Sequence, residues 1–135
     1  MRRIENSIVF FPCSNIKVTS KFYNDIIGLT VAQEQNGGMC IIFDTGYGYL
    51  GFCQYDDGRY IPSGPVGMCI SLNCRNEAEV DRCYEDVLKK GADIIMPPQR
   101  QEKFPVYSCF LRDPDGYKVE FQRVLEGEEL VGGRE

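Results

Sequence analysis

The sequence predicts an α+β fold made from two copies of one β-α-β-β-β unit. Three observations carry this. Strand-like runs and two amphipathic helical runs occur in the same order in each half of the 135 residues. The helices stop at glycines in matching places, Gly28 and Gly91, and hairpin turns follow Asp44 and Arg112 in matching places. Each half taken alone leaves a sheet face uncovered, so the halves are expected to pack as a pseudo-symmetric pair of four-stranded sheets, helices outside, around a central cleft.

In the first half, residues 4–13 read as a strand whose two alternating sets, Ile8 and Phe10 against Val9, Phe11 and Cys13, are both apolar, which predicts cover on both faces. Pro12 ends it. Ser14 or Asn15 can cap a helix running to Gly28, with Ile16, Phe22, Tyr23, Ile26 and Ile27 at helical spacing. Strands are expected at 29–33, 39–44 and 47–55, separated by the turns Asn36-Gly37-Gly38 and Thr45-Gly46. Residues 56–65 are dense in turn formers, Asp57-Gly58, Pro62 and Ser63-Gly64-Pro65, and read as a linker.

The second half repeats the order. A strand at 66–74 precedes a helix that Asn76 and Glu79 begin and Gly91 ends, with Val80, Cys83, Tyr84, Val87 and Leu88 on its apolar side. A short strand at 92–96 is expected to halt at Pro97-Pro98, and strands at 106–112 and 117–125 follow. The turn between these last two is the strongest local signal in the chain. Pro114 fixes φ, Asp113 and Asp115 can bond nearby backbone, and Gly116 accepts the positive φ that closes the turn. After it Val119 and Phe121 alternate with Lys118, Glu120 and Gln122. The polar set either faces water or lines a concave site where the Glu120 carboxylate meets a ligand.

The length and a 43% hydrophobic content fit one core, so one domain is expected over 1–125, with module one at 4–56, a linker at 57–65 and module two at 66–125. Of the net charge of −5, residues 126–135 supply −3 through Glu126, Glu128, Glu129 and Glu135 against Arg134, which leaves −2 for the body. That end is expected to be a mobile acidic tail. Basic runs do not exceed Arg2-Arg3 and Lys89-Lys90, which argues against nucleic acid, and no apolar run is long enough for a signal core or a membrane span. A cytoplasmic protein is expected. Seven cysteines, no CxxC pair and no histidine favour reduced thiols acting as small buried hydrophobes over a disulfide framework or a familiar zinc spacing.

With "KFYNDIIGL" in the first helix and "LRDPDGYKVEF" at the end, residues 4–124 resemble the vicinal oxygen chelate superfamily of glyoxalase I, bleomycin- and fosfomycin-resistance proteins and extradiol dioxygenases. The resemblance implies paired βαβββ modules in a half-open, mostly antiparallel eight-stranded barrel, a homodimer, and a divalent metal held by four His, Gln or Glu side chains from the first and last strand of each module. Carried onto this chain, those positions fall on Ile8, Gly51 (with Cys53 beside it on the same face), Cys69 and Glu120. Glu120 alone matches a ligand type. One carboxylate cannot satisfy Mg²⁺, Mn²⁺ or Ni²⁺, so no metal cofactor is expected, with a divalent metal as the second reading; Cys53, Cys69 and Glu120 are the alternative, a zinc site or the surroundings of a reactive thiol.

The face shared by Tyr47, Tyr49, Gly51, Cys53 and Tyr55, and that shared by Cys69, Ser71 and Asn73, offer flat aromatic walls beside small residues. Packing between protomers is the other use for such tyrosines. The expected function is metal-independent binding of a small molecule, with Tyr49, Gly51, Cys53, Cys69, Ser71 and Glu120 as ligand-binding residues. The alternative is a lyase or isomerase of glyoxalase type, with Glu120 as the catalytic base or a metal ligand.

Overall fold

The computed structural model describes residues 3–59, 68–125, 127, 128 and 130. They form two four-stranded sheets, two crossover helices and a short 3₁₀ turn at Asn36–Gly38, with strands and crossover helices in the order predicted. The first sheet contains β1 (Ile8–Pro12), β2 (Thr30–Gln35), β3 (Cys40–Asp44) and β4 (Tyr49–Cys53); the second contains β5 (Cys69–Asn73), β6 (Asp93–Arg100), β7 (Val106–Arg112) and β8 (Lys118–Val124). Spatial order is β1-β4-β3-β2 in one and β5-β8-β7-β6 in the other.

Both sheets are mixed, which corrects the expectation of a mostly antiparallel eight-stranded barrel. β1 runs parallel to β4 and β5 parallel to β8, while the remaining pairings are antiparallel. The direction follows from the connection. A helical crossover returns the chain to the end where it began, so the next strand runs parallel to the first, and two hairpin reversals restore that direction in the last strand.

The chain divides into two compact units whose boundary falls inside the stretch 57–65 expected as a linker. Residues 60–65 of that stretch, and all of the expected tail except Gly127, Glu128 and Leu130, lie outside the described residues. Among the described residues no helix is long and apolar enough to cross a membrane.

In the first unit, α1 (Ile16–Ser20) starts where Asn15 Oδ1 accepts from the Lys17 and Val18 N–H groups, so Asn15 rather than Ser14 is the cap. The helix continues with π winding over Lys21–Ile26, closed by Ile27 N–H to the Phe22 carbonyl at 2.9 Å, and ends before Gly28 at φ 93°. Its Tyr23 is fully buried and stacks on Phe52 with centroids 4.3 Å apart; Phe43 and Phe11 complete the aromatic core on the same face of the sheet. Burying side chains of this size contributes roughly 1.5–3 kcal/mol each. β1 is shorter than expected and is not covered on both sides: Ile8, Val9 and Phe10 are 41%, 51% and 48% exposed, because β1 is an edge strand.

In the second unit, α2 (Glu77–Lys89) begins at Asn76, whose side chain accepts from Glu79 N–H, and stops before Gly91 at φ 82°. Its buried Val80 and Val87 belong to the same core as Ile70, Cys109, Leu111, Val119 and Phe121, the apolar set of β5, β7 and β8. β6 runs on through Pro97-Pro98, where a halt was expected. It lies at the sheet's outer edge and its pairing with β7 is irregular there, so the prolines remove no donor from a regular ladder.

Candidate functional site

The turn that joins β7 to β8 fixes where the polar face of β8 points. Asp113 Oδ1 accepts from the N–H groups of Asp115 at 2.8 Å and Tyr117 at 2.9 Å, while Gly116 at φ 89° donates to the Asp113 carbonyl. Asp113 is itself buried, so this network sits under cover and sets the register from which Lys118, Glu120 and Gln122 emerge on one face, with Val119 and Phe121 on the other.

Three cross-strand rows run over that face. Cys69, Lys118 and Arg112 form the first; Ser71, Glu120 and Phe110 the second; Asn73, Gln122 and Ser108 the third. Glu120 is the centre and is only 7% exposed. Ser71 Oγ donates to Glu120 Oε1 at 2.6 Å, and Cys69 Sγ stands 3.9 Å from the same oxygen and 3.6 Å from Ser71 Oγ. Lys118 Nζ lies 4.1 Å from the centroid of the Phe110 ring. Among the described residues no lysine or arginine is within salt-bridge distance of Glu120. In the third row Gln122 Nε2 donates to Asn73 Oδ1 at 2.9 Å, and Gln101 Nε2 to Ser108 Oγ at 3.1 Å.

A buried carboxylate that accepts from one hydroxyl and one thiol, with no cation within salt-bridge distance among the described residues, retains acceptor capacity for a donor brought by a ligand. The thiol beside it is a poor nucleophile. Desolvation pushes the Cys69 thiol up, the hydroxyl of Ser71 opposes this, and the charge of Glu120 adds to the rise.

The equivalent face of the first sheet carries the other expected residues. Tyr49, Gly51 and Cys53 share one side of β4, as expected, whereas Tyr47 and Tyr55 fall outside the strand; Tyr55 stacks under the Arg59 guanidinium at 3.5 Å. Gly51 pairs with Phe10 of β1, and a Cβ placed on Gly51 would stand 2.4 Å from Phe10 Cδ1. The Phe10 ring thus occupies the space that a longer side chain at this position would fill.

Cys53 corrects the expectation of reduced thiols. It is bonded to Cys40, its direct partner across β3 and β4, with Cα atoms 4.1 Å apart. The two meet because residues 40 and 53 are direct cross-strand partners, a register that could not be read from spacing alone. The bond also removes Cys53 from any zinc or reactive-thiol site with Cys69 and Glu120.

The four positions at which the resemblance places metal ligands do not fit a divalent cation. Ile8 has only hydrocarbon, Gly51 has no side chain and is covered by Phe10, and Cys69 and Glu120 remain as one thiol and one carboxylate. Among the described residues no group of three or more cysteine, aspartate or glutamate side chains is placed to hold a metal ion.

Residues 7–121 match the sequence model of the Glyoxalase/Bleomycin resistance protein/Dioxygenase superfamily. The chain belongs to this superfamily. No curated protein matches its sequence. Among solved structures it is similar to a glyoxalase/bleomycin resistance protein/dioxygenase from Nocardioides, with 17% identity over 98% of this chain and 91% of that one and a TM-score of 0.73. A lactoylglutathione lyase from Agrobacterium tumefaciens has 20% identity over 91% and 96% of the two chains, TM-score 0.71. A glyoxalase/bleomycin resistance protein/dioxygenase family enzyme from Burkholderia phytofirmans PsJN has 18% identity over 87% and 97%, TM-score 0.74. At these identities the likeness shows the fold. Within the superfamily scaffold, alternation along β8 and β5 places Glu120, Ser71, Cys69, Asn73 and Gln122 correctly on one face, while Phe110 and Ser108 enter only through the β7–β8 register.

Proposed function

We propose that the protein is a metal-independent member of the glyoxalase/bleomycin-resistance type that binds a small organic molecule on the polar face of its second sheet. One observation carries the reading: Glu120 is 7% exposed on the polar face, accepts from the Ser71 hydroxyl and the Cys69 thiol, and has no cation within salt-bridge distance among the described residues, so its carboxylate keeps acceptor capacity that a ligand's donor can use. Phe110 in the same row and the Lys118 ammonium over its ring give the face an aromatic surface and a positive charge beside that acceptor. A planar ligand with an N–H or O–H donor, and an acceptor or anionic group a few ångströms away, matches these features.

The reading retains a homodimer, for which the apolar side chains exposed along β1, Ile8, Val9 and Phe10, supply surface. Its metal independence rests on the donor chemistry at Ile8, Gly51, Cys69 and Glu120.

The test is a thermal-shift panel of aromatic compounds with and without a donor group, run on wild type and Glu120→Gln. Donor-bearing compounds are expected to raise Tm of the wild type and to lose most of that shift in the variant. A panel without any stabilising compound, or equal shifts in both proteins, would overturn the reading. Elemental analysis of the purified protein checks the metal: a stoichiometric divalent ion would end it.

A further inference from the structure

The second unit contains a pair of thiols that the polar face does not use. Cys74 follows β5, held by its N–H to the Gln122 carbonyl at 2.7 Å, and Cys83 lies on α2 one turn after the buried Val80. Their sulfur atoms are 4.0 Å apart, in hydrogen-bond contact. Both are half-buried, so solvent reaches them, unlike the fully buried Cys109. Cys74 also lines an open cavity of about 170 Å³ together with Asn73, Arg123, Val124 and Leu130.

We propose that Cys74 and Cys83 form a thiol–disulfide pair, a modification site oxidised by exchange with a low-molecular-weight disulfide bearing carboxylate groups. The sulfurs, 4.0 Å apart, need to close to the ~2.05 Å of an S–S bond. Arg123 on the cavity wall supplies the positive charge that an anionic disulfide would meet. The two thiols share one contact in which either sulfur can donate; with Cys74 as donor, the hydrogen bond favours the Cys83 thiolate, and Cys83 is taken as the attacking sulfur.

The chemistry balances without any further reactant. The Cys83 thiolate attacks one sulfur of the small disulfide, forming a mixed disulfide and releasing one small thiol. Cys74 then loses its proton and attacks Cys83 Sγ, releasing the second small thiol. The protein dithiol gives up two electrons and two protons, and the small disulfide takes up both. The product would tie the end of β5 to α2, next to Asn73 in the third row of the polar face.

The experiment incubates the full-length protein with glutathione disulfide, alkylates the remaining thiols, and maps tryptic peptides under non-reducing conditions. The expected result is a disulfide joining the peptide 60–75 to the peptide 83–89, with loss of two alkylatable thiols from the set Cys13, Cys69, Cys74, Cys83 and Cys109. Cys69 shares the first peptide with Cys74, so the link must survive in Cys69→Ser and vanish in Cys74→Ser, where Cys83 should remain as a mixed disulfide with glutathione. A link lost in Cys69→Ser, mixed disulfides alone in the wild type, or no reaction at Cys74 and Cys83 would each overturn the proposal. The wild-type map needs no variant to fold.

Discussion

Ser71 and Glu120 face each other across the parallel pair β5 and β8, and the serine hydroxyl donates to the glutamate carboxylate at 2.6 Å on a residue that is 7% exposed. The carboxylate is sheltered from bulk water, and Ser71 answers it with a neutral donor instead of a counter-charge. Replacing Ser71 by Ala leaves Glu120 without that donor and should lower stability by about 1–2 kcal/mol, since bonds to charged groups exceed neutral ones but this one is only partly buried. Urea denaturation of Ser71→Ala against wild type measures it, and an unchanged midpoint would show that water replaces the hydroxyl at no cost.

Gly51 lies under the ring of Phe10, where a Cβ would come within 2.4 Å of Phe10 Cδ1. Gly51→Ala should therefore destabilise by roughly 1–3 kcal/mol, as overpacking does. Because the Phe10 ring is what the new Cβ would meet, Phe10→Ala should remove most of that penalty. The double-mutant cycle reads the coupling directly, and additive effects would mean that the clash is absorbed elsewhere.

The Cys40–Cys53 bond closes a loop with a sequence separation of 13. Chain-entropy arguments give about 3 kcal/mol for a loop near this length. Reduction, or the pair of substitutions Cys40→Ser and Cys53→Ser, should lower stability by an amount of that order while leaving the sheet's circular-dichroism signal in place. Intact mass before and after reduction checks that the bond is present in the purified protein.

The Tyr107 hydroxyl donates to Asp81 Oδ1 at 2.6 Å, and this bond, with desolvation and the nearby carboxylates, pushes the phenol up to about 12. The folded value lies above the ordinary one near 10. The contribution of the bond to stability is thus fully present below about pH 10 and is lost as pH rises through about 12. Ultraviolet titration of the phenolates should show a late-titrating component that is lost in Tyr107→Phe; the same late component in wild type and variant would contradict the geometry.

Thr19 is 1% exposed, and among the described residues its Oγ1 has no hydrogen-bond partner. A buried hydroxyl left unsatisfied costs free energy that an isosteric methyl does not. Thr19→Val should raise stability by about 1 kcal/mol or more, seen as a higher denaturant midpoint at unchanged slope.

What the sequence determined by itself were the features that depend on near neighbours in the chain. Asn76 with Glu79, the glycines at 28 and 91, and Asp113 through Gly116 act over three or four residues, and the caps, the helix ends and the hairpin stand where those residues place them. Alternation along β8 likewise put Glu120 on the polar face, since a strand's side chains change sides at every residue. The tertiary structure decided what depends on pairing between distant segments. Ser71 reaches Glu120 across a separation of 49 residues, Cys40 meets Cys53 because β3 and β4 adopt one register among several, Phe10 covers Gly51 because β1 lies beside β4, and Pro97 and Pro98 are tolerated because β6 is an edge. Register is set by the summed burial of whole strands, a quantity that no short window of sequence contains.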